Sequence, residues 1–432
     1  MSEFQIQNKI AKVGIAGPGK LGQLAMLLGY ESRLAKLPIK IFTISADKPW
    51  WSSEHYSYNS PDSIYSLFED LKEKEVYSCI TFESESIDEN FTNEFDKRFP
   101  NTFIPSLKAI RIFKNRINEK DFLSQTLGLD IPQFKEINFN SKNVLDYSQL
   151  LDLNSKAFIL KTAEGGYDGI GQALINNVNE LKSILENTTA KQFILEEKID
   201  IDYEVSVVVT RFGDGKKIYF PPTHNKHKAG ILLHSIVIQN ISDELKQKLY
   251  SQAAKIVDEL DYIGTLTVEF FVDRNGKILI NEIAPRVHNS GHITSLCKNN
   301  INQFTMHMTA VSKIHMSKAE ILQSPEYDKS YNSMINILGL SFEQIQEALL
   351  IDRRNLLNAE IEEKLTVFEK ANWTLYWYGK QPNNSRVRKM GHILISAETQ
   401  TKGREIEEII KENILGVLGS DQKALLEIYS SL

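Results

Sequence analysis

The sequence is poor in cysteine, nearly balanced in charge and without a long apolar run, and each of these features excludes a class of protein. Its two cysteines, Cys79 and Cys297, lack metal-ligand spacing, so we expect reduced buried thiols rather than a disulfide. A net charge of -6 provides no basic surface for nucleic acid or an anionic membrane. No apolar run approaches the ~20 residues of a membrane span, and the first residues lack the apolar core of a signal peptide. We therefore expect a cytoplasmic protein that binds neither nucleic acid nor a membrane.

The N-terminal segment Lys9–Tyr30 has the pattern of a strand, a glycine turn and a helix. Gly17, Gly19 and Gly22 fit the motif GxGxxG, and a second predicted strand follows at Ile39–Ile44. This pattern opens a Rossmann-like unit, whose helix N-terminus can bind a phosphate. Many such turns serve only to pack a strand against a helix, so a dinucleotide cofactor remains the lesser interpretation.

The most informative stretch is Thr265–His292, where two apolar runs are joined at Asn275-Gly276. Asn-Gly between such runs predicts a hairpin with a two-residue type I′ turn. Counting outward from that turn places Glu269 directly opposite Glu282, with their Cβ atoms roughly 4.5–5.5 Å apart. Two carboxylates that close repel each other unless one is protonated or a cation lies between them, and Mg²⁺ held together with substrate phosphates fits this requirement. The alternative is a solvated face with two unrelated acids, which a one-residue slip of the turn would produce.

A second glycine-rich segment, Ala157–Ile175, follows a buried-type strand that ends on Lys161. It is not a Walker A loop, but closely spaced glycines allow several backbone N–H groups to approach a phosphate, and Lys161 adds a positive charge. The alternative is a flexible hairpin tip. Upstream, four basic residues are spread over a predicted helix, where an exposed basic face is the expected arrangement: Arg111, Lys114, Arg116 and Lys120.

The remaining candidates are polar side chains in otherwise apolar surroundings. Glu196, Glu197 and Glu204 interrupt a strand-rich segment, where an acid can accept ribose hydroxyls or protect a strand edge. Thr223–Gly230 is predicted to be a polar loop whose histidines lack the spacing of a zinc site. The tail of the hairpin and a basic turn near the C-terminus carry groups suited to anions: Arg286, His288, Asn289, Ser290, Lys380, Arg386, Arg388 and Lys389.

Taken in order, these motifs resemble the N5-carboxyaminoimidazole ribonucleotide synthetases, ATP-grasp ligases of purine biosynthesis. The resemblance runs from Lys9 to at least Ile395 and is carried by FILKTAEGGYDGIGQ, ILEEKIDIDYEVS, PPTHNKHKAGI, INEIAPRVHNSGH and WYGK…RKMGH. It implies an α/β and α+β fold with a Rossmann-like domain at 1–105, an ATP-grasp domain at 106–325 and a small C-terminal domain at 326–432. It also implies a homodimer.

The resemblance further implies a reaction in which ATP and bicarbonate form carboxyphosphate, which then carboxylates aminoimidazole ribonucleotide. It implies that Glu269 and Glu282 bind Mg²⁺, and that Arg286, His288 and Asn289 form the bicarbonate pocket. Tyr167, Asp168, Arg286, Lys380 and Arg388 would hold the ribonucleotide. The residues that it implies for ATP are Arg116, Lys161, Gly166, Tyr167, Asp168, Gly169, Ile170, Gly171, Gln172, Glu196, Glu197, Lys198, Ile199, Glu204, His227, Asn281 and Glu282.

The sequence departs from this pattern at four places: GPGKLG with Lys20, TFESESI at Thr81–Ile87, the long segment Ser341–Lys370, which is predicted to be helix-prone, and the turn NNSRVRKMGH. These departures affect the substrate pocket more than the ATP site. Three alternatives therefore stay open: an ATP-grasp ligase with a different acid or acceptor, a dinucleotide-dependent oxidoreductase, and a non-catalytic nucleotide-binding protein.

Overall fold

The computed structural model describes residues 10–17, 22–49, 51–138, 157–166, 169–314, 325–350, 365–380 and 387–432. In these ranges the chain forms three sheets covered by helices, as the predicted α/β and α+β class requires. Lys20, Tyr167, Asp168, Arg386 and much of the long segment 341–370 lie outside the described residues.

The first sheet is parallel, with the strand order β3-β2-β1-β4. Its strands pack against aromatic-rich helices around a core that includes Phe68, Phe82 and Phe95. Parallel strands joined by helices are the arrangement that the Rossmann-like prediction requires, and the prediction is confirmed. The strands of this sheet are β1 (Ala11–Ala16), β2 (Ile39–Ser45), β3 (His55–Ser57) and β4 (Ser78–Phe82).

The second sheet is antiparallel, with the order β5-β8-β6-β7, and it carries the glycine-rich segment between β6 and β7. A small core that includes Leu160, Leu181 and Leu195 joins it to one helix. Its strands are β5 (Phe134–Asn138), β6 (Phe158–Thr162), β7 (Gln172–Ile175) and β8 (Gln192–Glu197).

The third sheet is the centre of the molecule, with the order β14-β13-β9-β11-β12-β15-β18-β17-β16 and β10 paired to β9. It is continuous across residue 325, because β12 pairs with β15. The division into 1–105, 106–325 and 326–432 remains a prediction. The strands are β9 (Ile201–Arg211), β10 (Lys217–Tyr219), β11 (Thr223–Lys228), β12 (Ile231–Val237), β13 (Gly264–Asp273), β14 (Ile278–Ala284), β15 (Tyr331–Leu338), β16 (Thr366–Lys370), β17 (Trp373–Trp377) and β18 (Lys389–Ala397).

The two faces of the central sheet differ in what covers them. One row of directly paired residues runs Val205–His224–Ile236–Ser333–Ile395, and helices cover both of its apolar ends. On the opposite face, buried polar side chains such as Ser206, Asn225 and Ser235 bond to one another and to Ser290. Since neighbouring positions of a strand alternate between faces, the first face is core and the second carries the polar site.

The helices mostly cover these sheets, and none of those in the described ranges is long and apolar enough to cross a membrane. Two short 3₁₀ helices follow β14, at Asn289–Leu296 and Lys298–Asn300, and a π-helical turn spans Phe122–Thr126. The α-helices are α1 (Gln23–Leu34), α2 (Asp62–Glu73), α3 (Glu89–Arg98), α4 (Leu107–Lys114), α5 (Arg116–Asp121), α6 (Val178–Glu186), α7 (Asp243–Glu259), α8 (Gln303–Val311), α9 (Phe342–Ala348), α10 (Gln400–Gly416) and α11 (Lys423–Ser430).

Two local predictions are wrong. Thr223–Gly230, predicted as a polar loop, is strand β11 followed by a two-residue turn in which Ala229 and Gly230 both have positive φ. Thr366–Lys370, predicted as part of a helix-prone segment, is strand β16. The sequence of β11 lacks the alternation of apolar and polar residues by which a strand is usually predicted. Its polar side chains nevertheless alternate between the two faces of the sheet, because the backbone pairs with β9 on one side and β12 on the other.

Candidate active site

Glu269 and Glu282 face each other across β13 and β14, as predicted, although the turn that joins the strands is not the predicted one. Asp273 rather than Arg274 pairs with Lys277, and only Gly276 in the three-residue loop has positive φ, 77°. This shifts the register by one residue. A β-bulge that leaves Asn281 unpaired then shifts the register back by one residue. The two shifts cancel, so Glu269 still pairs with Glu282 as predicted.

Glu269 is buried and Glu282 is half-buried, which excludes the alternative of a solvated face. Glu269 is 7% exposed, and burial, followed by repulsion from Glu282, raises the pKa of Glu269 to about 8. Oxygen Oε1 of Glu269 has no hydrogen-bond partner within the part of the chain that the structure describes. Two carboxylates of this kind fit a Mg²⁺ ion whose other ligands are phosphates and water. No cluster of three or more histidine, cysteine or acidic ligands occurs in the described residues.

The bulge next to Glu282 is held from both sides by two consecutive residues of α5. Lys120 donates from Nζ to the carbonyl oxygen of Asn281, at 2.8 Å. Glu119 accepts the N–H of Ile283 on Oε1, at 2.9 Å. These bonds fix the peptide groups that flank Glu282, so its carboxylate is aimed by a braced backbone.

Three charges, which we call the lysine cluster, lie beside the bulge: the buried Lys120 and Glu196, and Lys161, whose side chain is 12% exposed. Lys120 is 2.8 Å from Glu196, and Lys161 contacts the other oxygen of the same carboxylate. Although burial opposes ionisation, the two lysines hold the pKa of Glu196 at about 2. Lys161 also approaches Asn281 Oδ1, at 3.4 Å, which connects the second sheet with the metal candidates. The prediction of an exposed basic face is therefore wrong for Lys120, which is 1% exposed.

Arg116 braces the base of the second glycine loop. Its guanidinium donates to the carbonyl oxygens of Thr162 and Gly166, each at 3.0 Å. A Cβ on Gly166 would lie 3.0 Å from the guanidinium, so this close approach requires glycine. The other described residues of the predicted phosphate loop form its exit toward β7: Gly169, Ile170, Gly171 and Gln172.

The predicted nucleotide contacts lie where the second sheet meets the central one. Glu196 and Glu197 end β8, and Lys198 and Ile199 lead from it into β9. Glu204 of β9 pairs with His227 of β11, with 2.7 Å between Oε2 and Nδ1. Burial lowers the pKa of His227, but its hydrogen bond to Glu204 outweighs burial and the net pKa is raised. This dyad lies on the same face of the central sheet as the facing glutamates.

Beyond Glu282 the chain forms what we call the acid pocket: Arg286, His288, Asn289 and Glu269. Arg286 pairs with Glu85, at 2.9 Å. Burial, and then Arg286, hold the pKa of His288 well below its ordinary value, so its ring is neutral at pH 7. Its Nδ1 lies 3.0 Å from Ser290 Oγ and 3.5 Å from Glu269 Oε1. Asn289 is 5% exposed, and neither side-chain atom has a hydrogen-bond partner among the described residues.

The segment Thr81–Ile87, where the sequence departs from the family pattern, contributes two acids to the site. Glu83 accepts the N–H of Leu24 at the start of α1, at 3.0 Å, and burial raises the pKa of Glu83 to about 7. A carboxyl group therefore occupies the helix N-terminus that a dinucleotide phosphate would need, which argues against the oxidoreductase interpretation. Lys380 bonds to Gln23 on the same helix.

The last predicted substrate residue, Arg388, precedes β18. Its Nε is buried and has no hydrogen-bond partner in the described ranges. Sequence reasoning missed Glu83, Glu119 and Lys120 as contributors to the site. Lys120 had a usable signal, because it lies four residues after Arg116 and therefore on the same face of a helix.

Comparisons with known proteins point to one family of enzymes. An ATP-grasp domain model matches residues 122–304, and a model of the phosphoribosylaminoimidazole carboxylase C-terminal domain matches 332–406. The N5-carboxyaminoimidazole ribonucleotide synthase of Staphylococcus aureus is 30% identical over 390 residues, 89% of this chain and 92% of the relative. The Aquifex aeolicus enzyme of the same name is 30% identical over 93% of this chain and 94% of its own.

Solved structures show the same relationship. The Staphylococcus aureus synthetase crystallised with ADP superimposes with a TM-score of 0.71 and 27% identity, over 94% of this chain and 97% of that one. The Aspergillus clavatus synthase, in complex with ADP and aminoimidazole ribonucleotide, shares the fold with a TM-score of 0.73 at 21% identity, over 94% and 99% of the chains. The chain therefore belongs to the N5-carboxyaminoimidazole ribonucleotide synthase family of ATP-grasp ligases.

Proposed function

We propose that the protein carboxylates 5-aminoimidazole ribonucleotide with bicarbonate at the expense of ATP, giving N5-carboxyaminoimidazole ribonucleotide, ADP and phosphate. The observation that carries this proposal is the pair of facing glutamates, of which Glu269 is buried and Glu282 half-buried, with the lysine cluster beside Glu282, in a chain of this family. In the first step an oxygen of bicarbonate attacks the γ-phosphorus of ATP, and the bond from that phosphorus to the bridging oxygen of ADP breaks. In the second step the amine nitrogen attacks the carboxyl carbon of carboxyphosphate, and phosphate leaves.

The nucleotide is held by charges that the fold has already fixed. Lys161 and Arg116 lie at the two ends of the glycine loop and approach the phosphates, while Glu204 accepts ribose hydroxyls and the segment Glu196–Ile199 reads adenine. Glu269 and Glu282 hold Mg²⁺, which neutralises charge on the transferring phosphoryl group when it is bound. Since phosphoryl transfer needs positioning more than covalent chemistry, a braced Glu282 suits this role.

The acid pocket binds bicarbonate and the carboxyphosphate made from it. Arg286 offers its guanidinium, and the unpartnered amide of Asn289 offers both a donor and an acceptor. His288, neutral at pH 7, can exchange hydrogen bonds with bicarbonate through its ring without adding a charge to the pocket. Exclusion of water by the glycine loop protects carboxyphosphate from hydrolysis.

The ribonucleotide lies on the other side of this pocket, with its 5′-phosphate held by Lys380 and Arg388. Tyr167 and Asp168, outside the described residues, complete this contact by family resemblance. We further infer a homodimer in the cytoplasm, which light scattering on the purified protein and fractionation of cells test.

The experiment that tests the function is coupled release of ADP with ATP, bicarbonate, Mg²⁺ and aminoimidazole ribonucleotide, each omitted in turn. We expect rapid release only with all four, and one ribonucleotide consumed for each ADP formed. ADP release with another amine or acid, but not with these substrates, would instead select the alternative of a different ATP-grasp ligase.

A further inference from the structure

A glutamine at the start of α8 pairs with the backbone of His288. Gln303 is fully buried, at 0% exposed. Its Oε1 accepts the N–H of His288 at 2.9 Å, and its Nε2 donates to the carbonyl oxygen of His288 at 2.8 Å. The amide therefore satisfies both backbone groups of one residue, as a neighbouring strand would.

Gln303 is itself fixed by several contacts. Its own N–H donates to Thr294 Oγ1 at 2.9 Å, and its carbonyl oxygen accepts from Thr265 Oγ1 at 3.1 Å. It follows Asn302, which caps α8 in a capping box. A Cβ built on Gly291 would overlap the amide of Gln303, so the glycine leaves space for it. The side chain thus has one position, defined from β13, α8 and the 3₁₀ helix.

We infer that Gln303 is a positioning residue, which holds the backbone of His288 so that its ring faces Glu269 and the bicarbonate pocket. An amide is suited to this because it carries a donor and an acceptor on one planar group, whereas an ionised carboxylate has only acceptors and a thioether has no donor. The inference rests on the proposed function for its catalytic consequence. Its structural part, the bond to the His288 N–H, is independent of that function.

Two variants remove the pairing in different ways. Gln303→Met keeps the length of the side chain and its apolar stem but loses both hydrogen bonds. Gly291→Ala leaves Gln303 unchanged and pushes its amide away from His288. Since Gly291 does not have a positive φ, alanine adds no backbone strain. The matched control is Asn332→Leu, which removes another fully buried amide whose bonds are to Lys329 and Ser396.

Steady-state kinetics separate positioning from a loss of folded protein. We expect both variants to raise the KM for bicarbonate about tenfold while the KM for ATP stays within about twofold. The number of ADP molecules released per ribonucleotide consumed should also rise, because a misplaced His288 leaves carboxyphosphate to react with water. Asn332→Leu should lower thermal stability and leave both KM values unchanged. An unchanged KM for bicarbonate together with an unchanged ratio of ADP released to ribonucleotide consumed, with only the amount of folded protein reduced, would show a merely structural role and overturn the inference.

Hydrogen–deuterium exchange in the absence of substrates tests the contact itself. We expect the amide of His288 to exchange about tenfold faster in Gln303→Met and Gly291→Ala than in the wild type, and to be unaffected in Asn332→Leu. Unchanged protection in the first two variants would overturn the inference whatever the enzyme's substrates are. Failure of the proposed function would appear differently, as wild-type ADP release that does not depend on bicarbonate.

Discussion

The lysine cluster and the acid pocket lie on either side of Glu282, and they differ in whether their buried polar groups have partners within the protein. In the lysine cluster each buried charge faces an opposite one, since Lys120 and Lys161 share the two oxygens of Glu196. In the acid pocket, by contrast, the amide of Asn289 and Oε1 of Glu269 are buried without a hydrogen-bond partner in the described part of the chain. In the lysine cluster both oxygens of the carboxylate face a lysine ammonium, whereas the acid pocket has unmet hydrogen-bonding capacity.

This difference indicates which half of the reaction each side serves. A cluster whose two lysines share one carboxylate keeps a net positive charge, so it can hold backbone and phosphate positions without any change of its own charge during the reaction. Unpartnered buried polar groups cost free energy in a folded protein, so their presence indicates a ligand that completes them. Bicarbonate, with three oxygens and one negative charge, is complementary to Arg286, His288 and Asn289. A substitution of Lys120, the member of the lysine cluster to which no contact with ATP is assigned, should therefore act mainly on stability, and substitutions in the acid pocket mainly on turnover or affinity.

The largest effect is expected for Glu282→Gln, which lies where the two sides meet. Removal of one of two carboxylate ligands should reduce ATP turnover by about 10³-fold while the fold stays intact, because a neutral amide is a poor ligand for Mg²⁺. ADP release at limiting Mg²⁺, together with circular dichroism, measures both properties. Glu259→Gln, exposed at the end of α7, is the control and should behave as the wild type. Wild-type kinetics for Glu282→Gln would remove the metal from the proposal.

The second effect is on stability, and it tests whether the lysine cluster is structural. Lys120→Met leaves Glu196 buried with one lysine instead of two and removes the bond to the Asn281 carbonyl. We expect the free energy of unfolding to fall by about 3–4 kcal/mol. Lys114→Met, which breaks a more exposed pair with Glu89, should cost less than about 1 kcal/mol. If urea unfolding showed equal losses of unfolding free energy for the two variants, the burial of Glu196 would not make its ion pair with Lys120 more important for stability than an exposed pair.

The facing glutamates could be predicted from the sequence because side chains in a strand repeat with period two. That period fixes which residues share a face once a register is known. The register itself was predicted for the wrong reason. Asp273 accepts the N–H groups of Asn275 and Lys277, which favours a three-residue loop over the type I′ turn. The bulge at Asn281 cancels that shift, and no local feature of the sequence INEIA predicts the bulge.

The hydrogen bonds that hold the backbone on both sides of Glu282 were not predicted, because they join segments that are distant in sequence. Lys120 and Asn281 are 161 positions apart, and Glu119 and Ile283 are 164 apart. A lysine in an amphipathic pattern is most often solvated. Lys120 is buried because the folded chain places it next to the buried carboxylate of Glu196, a contact that the local sequence does not predict. The ATP-side residues came instead from motif resemblance, where glycine spacing and a strand-terminal lysine are local features.

The third prediction is a contrast in pH dependence between Glu83 and Glu196. The pKa of Glu83 is raised from 4.5 to about 7, so its proton favours the folded state, and stability should fall by roughly 2–3 kcal/mol as pH rises from 4.5 through 7. The pKa of Glu196 is lowered to about 2, so its contribution is present above pH 4.5 and is lost as pH falls toward 2.

Urea unfolding across this pH range, for the wild type, Glu83→Gln and Glu196→Gln, measures the contrast. Each glutamine cannot titrate, so Glu83→Gln should lose part of the decline above pH 4.5, where Glu269 also contributes, and Glu196→Gln should lose part of the decline below it. If both variants kept the wild-type profile, neither carboxyl would have the environment that the buried contacts give it.

The smallest effect is expected for a substitution of Arg388, at the outer edge of the acid pocket. Arg388→Ala removes a positive charge whose buried Nε has no hydrogen-bond partner in the described residues, so the folded enzyme should lose little stability. If the side chain holds the ribonucleotide 5′-phosphate, the KM for the ribonucleotide should rise about 10–30-fold, as expected for one charge-assisted contact. The KM for ATP and the KM for bicarbonate should stay unchanged. Arg404→Ala, on the exposed side of α10, controls for net charge, and an equal KM in both variants would exclude Arg388 from the phosphate site.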